Sequence, residues 1–313
     1  MSSLHALGEF GLIERFRRRL RSTSTVEVGI GDDAAVLRLP APARGRQVGG
    51  PSTSRWLLAS DMLVEGVHFR RRDTPAPWIG WKALACNISD IAAMGGLPRW
   101  AVVSLGLPRT IPVSFVDQLY VGLGRCARTF KMAIVGGDTV RAPQVIIDVA
   151  ILGSVDRQHV TLRRGARVGD RLFVTGRLGG SYRSGRHARF MPRVREAQFL
   201  VRRLRVHAMM DLSDGLASDL WQMSRASGVT LRVEAARIPV APAARTLQHA
   251  LMDGEDFELL FAVAPRDARR VPHRIGTTLV TPIGRVTRRG VGVELISNTG
   301  KSAPLMPTGF RHF

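Results

Sequence analysis

The sequence predicts a mixed fold of the α/β or α+β class, organised as two domains. Two observations carry that prediction. Apolar strand-like runs and helix-like periodicities interleave in both halves of the chain, a pattern that packs helices on sheets. Around residues 156 to 168 a polar stretch containing Arg163-Arg164-Gly165 and Val168-Gly169-Asp170 marks a boundary between them. A chain of 313 residues can bury two medium cores. The domains are therefore expected at 1–157 and 158–313.

The elements follow in order. Phe10, Ile13, Phe16 and Leu20 recur at helical spacing, so residues 9–20 read as an amphipathic helix. Its arginines fall on the wet side or near the C-terminal end, where positive charge is favoured. Val26 to Ile30 and Ala35 to Leu39 read as strands around Gly31-Asp32-Asp33, and Pro40 to Ser54 as a loop. Trp56 to Ala59 reads as a short strand ending at Ser60-Asp61. A long helix is expected from Pro77 to Met94, stopped by Gly95-Gly96. Strand Trp100 to Leu107, helix Val113 to Phe130, and strands Met132 to Val135 and Gln144 to Val155 complete the first half. The second half offers strand Arg171 to Thr175, a strand leading in through Met209-Met210, and a helix from Asp214 to Ala226. Strands Val229 to Val233 and Phe257 to Val263, a helix Pro265 to Val271, and strands Leu279 to Val286 and Val291 to Ile296 follow.

Composition narrows the function classes. Apolar residues make up 45% and the mean hydropathy is +0.02, as in globular domains. No uncharged apolar run reaches the roughly 18 residues of a membrane span, and the N-terminus lacks the pattern of a signal peptide. Cys86 and Cys126 sit singly in apolar helix-like segments and read as buried, reduced thiols. A cytoplasmic location is the expectation. The formal charge is +21, carried by 46 basic residues of which only Lys82, Lys131 and Lys301 are lysine. Such a balance suits nucleic acid or polyphosphate substrates equally. The densest basic stretch, Arg177 to Arg205, has few interleaved aromatics, so it reads as a solvated basic face and not a base-stacking platform.

The common phosphate motifs are missing. Gly300-Lys301-Ser302 resembles the end of a Walker A loop, but position 295 is leucine where a glycine is required. No Gly-x-Gly-x-x-Gly sits in a convincing βαβ unit, and the protein-kinase signatures are absent. Neither His-Glu-x-x-His nor Cys-x-x-Cys occurs, which argues against zinc.

What remains is acidic. In a chain this basic, carboxylates cluster at Asp32-Asp33, Asp61, Asp90, Asp138, Asp211 to Asp214 and Asp253 to Asp256. Several stand at strand ends beside Gly, Ser or Thr, where oxygen ligands for hard cations such as Mg²⁺ converge. Ser60-Asp61 offers a hydroxyl and a carboxylate side by side. Asp90 lies inside an apolar helix, where a carboxylate needs a partner or a metal. Gly136-Gly137-Asp138-Thr139 reads as a turn whose backbone amides can form an anion nest. In Asp211-Leu212-Ser213-Asp214-Gly215, a helix cap explains one polar group and leaves Asp211 over. His68, after Gly66, reads on its own as a surface or satisfied core histidine.

Taken in order, Gly8-Glu9-Phe10, GIGDDAAV (29–36), SDMLVEGVHF (60–69), NISDIAAMGGLP (87–98), GGDT (136–139), DLSDGLASDL (211–220) and GEDFELLF (254–261) closely resemble the thiamine-monophosphate kinase family. The resemblance runs from about residue 8 to Phe310. It implies the two-domain, PurM-like fold of the aminoimidazole ribonucleotide synthetase superfamily, with N-terminal domains paired in a homodimer. It also implies ATP-dependent phosphorylation of thiamine monophosphate to thiamine diphosphate with several Mg²⁺ ions, without a covalent nucleophile or a dedicated base. Matched by motif, Asp33, Asp61, Asp90, Asp138, Asp211 and Asp214 are implied metal ligands, assisted by Ser60. Gly137, Asp138, Arg163 and Ser213 are implied ATP contacts, and His68, Glu255 and Phe310 implied substrate contacts. The chain departs from the family pattern in a long insertion from Ala43 to Ser54, a short arginine-rich region from Leu178 to Arg195, and Asp253 where glycine is usual.

Two rival readings are another ATP-dependent enzyme of the same superfamily and an arginine-rich nucleic-acid-binding descendant. The first would call for a reactive cysteine near the N-terminus or at the C-terminus, whereas Cys86 lies in a helix and the chain ends in Phe313. The second is opposed by acidic clusters that would repel a phosphate backbone.

Overall fold

The computed structural model describes residues 4–20, 22–38 and 54–310. The Phe10 side chain, residues 40–53 of the expected loop and insertion, and residues 311–313 lie outside them. In chain order the elements are α1 (Leu4–Arg19), β1 (Val26–Val28), β2 (Ala35–Leu37), β3 (Ser54–Val64), α2 (Ala76–Ala93), β4 (Leu97–Leu107), α3 (Val113–Thr129), β5 (Ala133–Arg141) and β6 (Ile146–Asp156). After them come β7 (Arg171–Thr175), α4 (Val194–Arg203), β8 (Val206–Asp211), α5 (Leu216–Ser227), β9 (Val229–Glu234), α6 (Leu247–Met252), β10 (Leu259–Val263), α7 (Pro265–Ala268), β11 (Arg274–Ile275), β12 (Thr278–Arg289), β13 (Gly292–Ile296) and β14 (Ser302–Pro304).

Two mixed sheets organise these elements. The first has the order β1-β2-β3-β6-β4-β5; only β4 and β5 run parallel, joined through α3 as a parallel crossover requires. The second has the order β14-β13-β9-β12-β7-β10-β8, with β13 parallel to β9 and β11 beside β12.

Helix α2 is the hub. Pro75 enters in extended conformation and proline occupies the first turn, where its missing N–H costs nothing. Ile79, Leu84, Ile88 and Ile91 are fully buried. An apolar helix has no wet face, and α2 accordingly packs on β3 and β6 of the first sheet and on α4 and β8 of the second half. Gly95 ends it at φ +75°, the left-handed turn that favours glycine. Cys86 and Cys126 are buried and free. Among the described residues, no helix is long and apolar enough to cross a membrane.

Some expected boundaries shift. Helix α1 begins at Leu4 and bends at Gly8, before the expected residue 9. Strand β3 runs on to Val64, so Ser60-Asp61 is mid-strand rather than at its end. Strand β5 continues through Gly136-Gly137-Asp138-Thr139 to Arg141, because parallel pairing with β4 holds the segment extended where its local composition reads as a turn. Helices α4 and α6 carry no expectation from the sequence. In α4, arginines obscure the periodicity of its buried Ala197, Leu200 and Val201.

Candidate active site

Four acids meet where α2 faces the turn between β1 and β2, the inner face of β3 and the end of β8. Asp33, in the turn between β1 and β2, is buried; Nε and Nη2 of Arg163 donate to its Oδ1 at 2.8 and 2.5 Å. The Arg163 backbone N–H donates to Asp32 Oδ1 at 3.0 Å. Asp211 ends β8 and accepts the Ser89 hydroxyl at 2.6 Å. Asp61 lies on the face of β3 that also carries the buried Leu57, Ala59 and Leu63, which directs it toward α2. There it lies close enough to Asp90 for each carboxyl to bear on the other's charge. One oxygen each from Asp33, Asp90 and Asp211 lies within 4.8 Å of the others.

The electrostatics record this crowding. Burial, then the neighbouring Asp33, push Asp211 up to about 8, against the Ser89 hydrogen bond and Arg163. Burial also raises Asp61 to about 6, against its contact with Asp90, with Asp148, Asp33 and Asp214 adding repulsion. Asp90 is pushed well up by burial and then by Asp61, Asp211 and Asp33. A single arginine does not compensate so many buried carboxyls. Among the described residues, the buried Oδ2 of Asp33 and Oδ2 of Asp219 find no hydrogen-bond partner.

A second group of residues forms the other end. Val64 N–H donates to His68 Nδ1 at 3.0 Å, which leaves the hydrogen of a neutral ring on Nε2. The His68 and Phe310 rings lie 6.4 Å apart, centroid to centroid. Phe310 is brought in by its backbone N–H, which donates to the Asp214 carbonyl at 3.2 Å. Lys82, fully buried in α2, pairs with Glu255 and donates to the His68 carbonyl at 2.8 Å. Glu255 is held by backbone: its N–H donates to Ser213 O at 2.6 Å. Gly254 permits that approach, since at φ +70° a Cβ there would stand 2.7 Å from the same carbonyl oxygen.

The expected residues therefore separate into sets. Asp33, Asp61, Asp90 and Asp211 come together, with Asp214 near enough to raise Asp61. His68, Glu255 and Phe310 form the second set. Ser60 does not join Asp61: successive residues of β3 point to opposite faces, and Ser60 Oγ instead donates to Asp148 Oδ1 at 3.0 Å on the outer face. Gly137 and Asp138 are exposed on β5, an edge strand, apart from the acid cluster of their own chain. Neither Ser213 nor Asp214 caps α5; Gly215 does so without a side-chain bond. The preceding segment is committed elsewhere, through pairing of Leu212 and Ser213 with residues 255–258.

The expected solvated basic face at Arg177 to Arg205 holds for its exposed arginines, such as Arg177, Arg183, Arg202 and Arg203, and fails at Arg186 and Arg193. Arg186 bridges Asp256 and Glu258, and Arg193 donates from Nε and Nη2 to the buried Glu258, each at 2.6 Å. These arginines face inward because Glu258 and Asp256 are buried and need partners. Asp253, the departure from the family pattern, accepts Gly180 N–H at 2.7 Å, and Asp256 accepts Gly179 N–H. The glycine turn is thus tied down by carboxylates.

Sequence reasoning passed over Lys82, Ser89, Asp148 and Asp219. Lys82 carried a signal: one of three lysines in an arginine-rich chain, set among apolar residues of the expected helix.

Comparison with known proteins agrees with the division of the chain into two sheet-based halves. The family model described as AIR synthase related protein, N-terminal domain, matches residues 31–155, and its C-terminal counterpart matches residues 167–296. A thiamine-monophosphate kinase of Rhodopirellula baltica is 39% identical, with 97% of each chain covered. The Aquifex aeolicus protein of the same name is 34% identical, with 99% of each covered. A solved structure described as AaThiL complexed with AMPPCP and TMP superposes with a TM-score of 0.84 at 32% identity, covering 100% of this chain and 99% of that one. With both domain models matched and full-length identity at this level, the chain belongs to the thiamine-monophosphate kinase family of AIR synthase related enzymes.

Proposed function

We propose that the chain transfers the γ-phosphoryl group of ATP directly to the phosphate of thiamine monophosphate, by in-line attack, to form thiamine diphosphate and ADP. The observation that carries this reading is the division of one site into an acid cluster and a ring-lined end with His68 and Phe310 beside Glu255. The relatives of that name, and the neighbour solved with AMPPCP and TMP, support it.

The acid cluster fits Mg²⁺. Its donors are hard carboxylate oxygens, three of them within 4.8 Å, and one buried oxygen of Asp33 has no partner among the described residues. Asp33, Asp61, Asp90 and Asp211 would hold the ions, with Asp214 at the margin. When bound, the ions offset repulsion between the two phosphate compounds and bear charge that develops during transfer. Arg163 offers a planar, bidentate donor at the same end. The accepting phosphate is already ionised at neutral pH, its second pKa being about 6, so no side chain need act as a base. His68 and Phe310 would hold the thiamine rings, and the Glu255 acceptor would fix their orientation.

A homodimer is part of the reading. The outer face of the first sheet exposes Leu58, Met62, Trp100, Val102 and Val135, an apolar surface large for a free monomer. Ser60 and Asp138 lie on that side, so any part they play is at the subunit junction. Val102→Glu should convert a dimer to a monomer in light scattering; an unchanged mass would remove the interface.

The decisive assay mixes the purified protein with ATP, Mg²⁺ and thiamine monophosphate. Thiamine diphosphate and ADP should form in equal amounts. ADP without thiamine diphosphate would refute the acceptor, and no turnover would refute the reaction.

A further inference from the structure

Lysine is rare in this chain, yet one is buried completely in its central helix. Lys82 is flanked by the buried Trp81, Ala83, Leu84 and Ala85, and its side chain has no exposed surface. Burying an ammonium is costly unless it is paired and hydrogen-bonded, and an apolar side chain of similar volume generally serves stability as well or better. A lysine here therefore points to a job other than filling the core.

Its contacts say which job. The Lys82 ammonium donates to the His68 carbonyl at 2.8 Å and pairs with Glu255 Oε1. His68 belongs to the first half of the chain and Glu255 to the second, so the lysine joins two loops that no sheet connects. Glu255 sits at φ +51°, a conformation uncommon for a residue with a Cβ. Its backbone is held at both ends, N–H to Ser213 O and carbonyl from Ser181 Oγ, each at 2.6 Å. What the backbone leaves open is the side-chain torsion, and the Lys82 contact sets it. The Glu255 side chain remains 29% exposed, so an oriented carboxylate is presented outward.

We infer that Lys82 is a positioning residue for the thiamine end of the site: it fixes the Glu255 carboxylate and the His68 loop against each other, and so sets affinity for the thiamine moiety while leaving the phosphate end untouched. The inference rests on the reaction proposed above. It also defines the role of Glu255. Because Lys82 already matches its charge, Glu255 acts as an oriented hydrogen-bond acceptor more than as a counter-ion for the thiazolium cation.

The test is steady-state kinetics with both substrates varied. Lys82→Met should raise KM for thiamine monophosphate about tenfold and leave KM for ATP within about twofold. An unchanged KM for thiamine monophosphate, or equal rises in both constants, would overturn the inference. A double-mutant cycle separates positioning from general loosening. If Lys82 acts through Glu255, Lys82→Met/Glu255→Gln should match Glu255→Gln alone within about threefold, whereas multiplied effects would overturn the proposal. The double variant strands no buried charge, so this comparison stands even if Lys82→Met alone does not fold. Wild-type protein inert toward thiamine monophosphate would overturn the reaction and this inference together. Active wild-type protein with an indifferent Lys82→Met variant would overturn the inference only.

Discussion

At one end of the site Asp33, Asp61, Asp90 and Asp211 crowd together with Arg163 as their near cation. At the other end one carboxylate, Glu255, meets one ammonium, Lys82, and the charges match. The first arrangement is unfavourable as it stands, since desolvated like charges raise one another's affinity for protons. The second is complete without a ligand. Folding thus leaves unsatisfied charge at the end proposed to take cations and phosphates, and satisfied charge at the end proposed to grip a ring system.

The largest effect expected from this contrast comes from Asp90. Asp90→Asn should lower kcat by roughly a hundredfold or more, because several kcal/mol of metal-borne charge stabilisation is at stake. The same change replaces a carboxyl whose ionised form its neighbours disfavour with a neutral amide of the same shape, so metal-free melting temperature should hold or rise. Near-normal turnover, or a collapse in stability, would break the contrast.

His68→Ala probes the other end with a smaller expected effect. KM for thiamine monophosphate should rise about tenfold, a loss near 1.4 kcal/mol, with KM for ATP little changed. An increase in the ATP constant alone would show that the two ends have been assigned the wrong way round.

The smallest effect is on stability and concerns pH. Asp211 at about 8 and Asp61 at about 6 lie above the usual carboxylate value near 3.9. Between those limits the folded chain binds more protons than the unfolded chain, so stability falls as pH rises from roughly 4 to 8. Bound at the proposed site, Mg²⁺ would displace those protons, so its stabilisation should grow over the same range, with proton release in weak buffer. Melting temperatures in chelator at pH 5 and pH 8 should differ by a few degrees and converge when Mg²⁺ is added. Identical values in chelator would argue that the acids are not crowded.

Much of this was legible beforehand for local reasons. The helix α2 was expected from Pro77 to Met94 and the glycine pair marked its end, because a helix stop is a property of consecutive residues. Asp90 in that helix and Asp211 before α5 stood out because a carboxylate in apolar company needs a partner. Strand β5 was read too short, since Gly136-Gly137 looks like a turn until β4 pairs with it. Arg186 and Arg193 looked like surface charge because their buried acceptors, Asp256 and Glu258, come from a segment some seventy positions away.

By itself, the amino-acid order determined the class of fold, the hub helix and the inventory of acids. Which acids share a site was decided by tertiary structure: the pleat of β3 sends Asp61 inward and Ser60 outward, and the register of β5 leaves Asp138 on an open edge. The pairing of Lys82 with Glu255 was likewise decided only when α2 met the loop before β10. Propensity and periodicity act between neighbours in sequence, whereas the meeting of charges depends on strand register and helix packing across the whole chain.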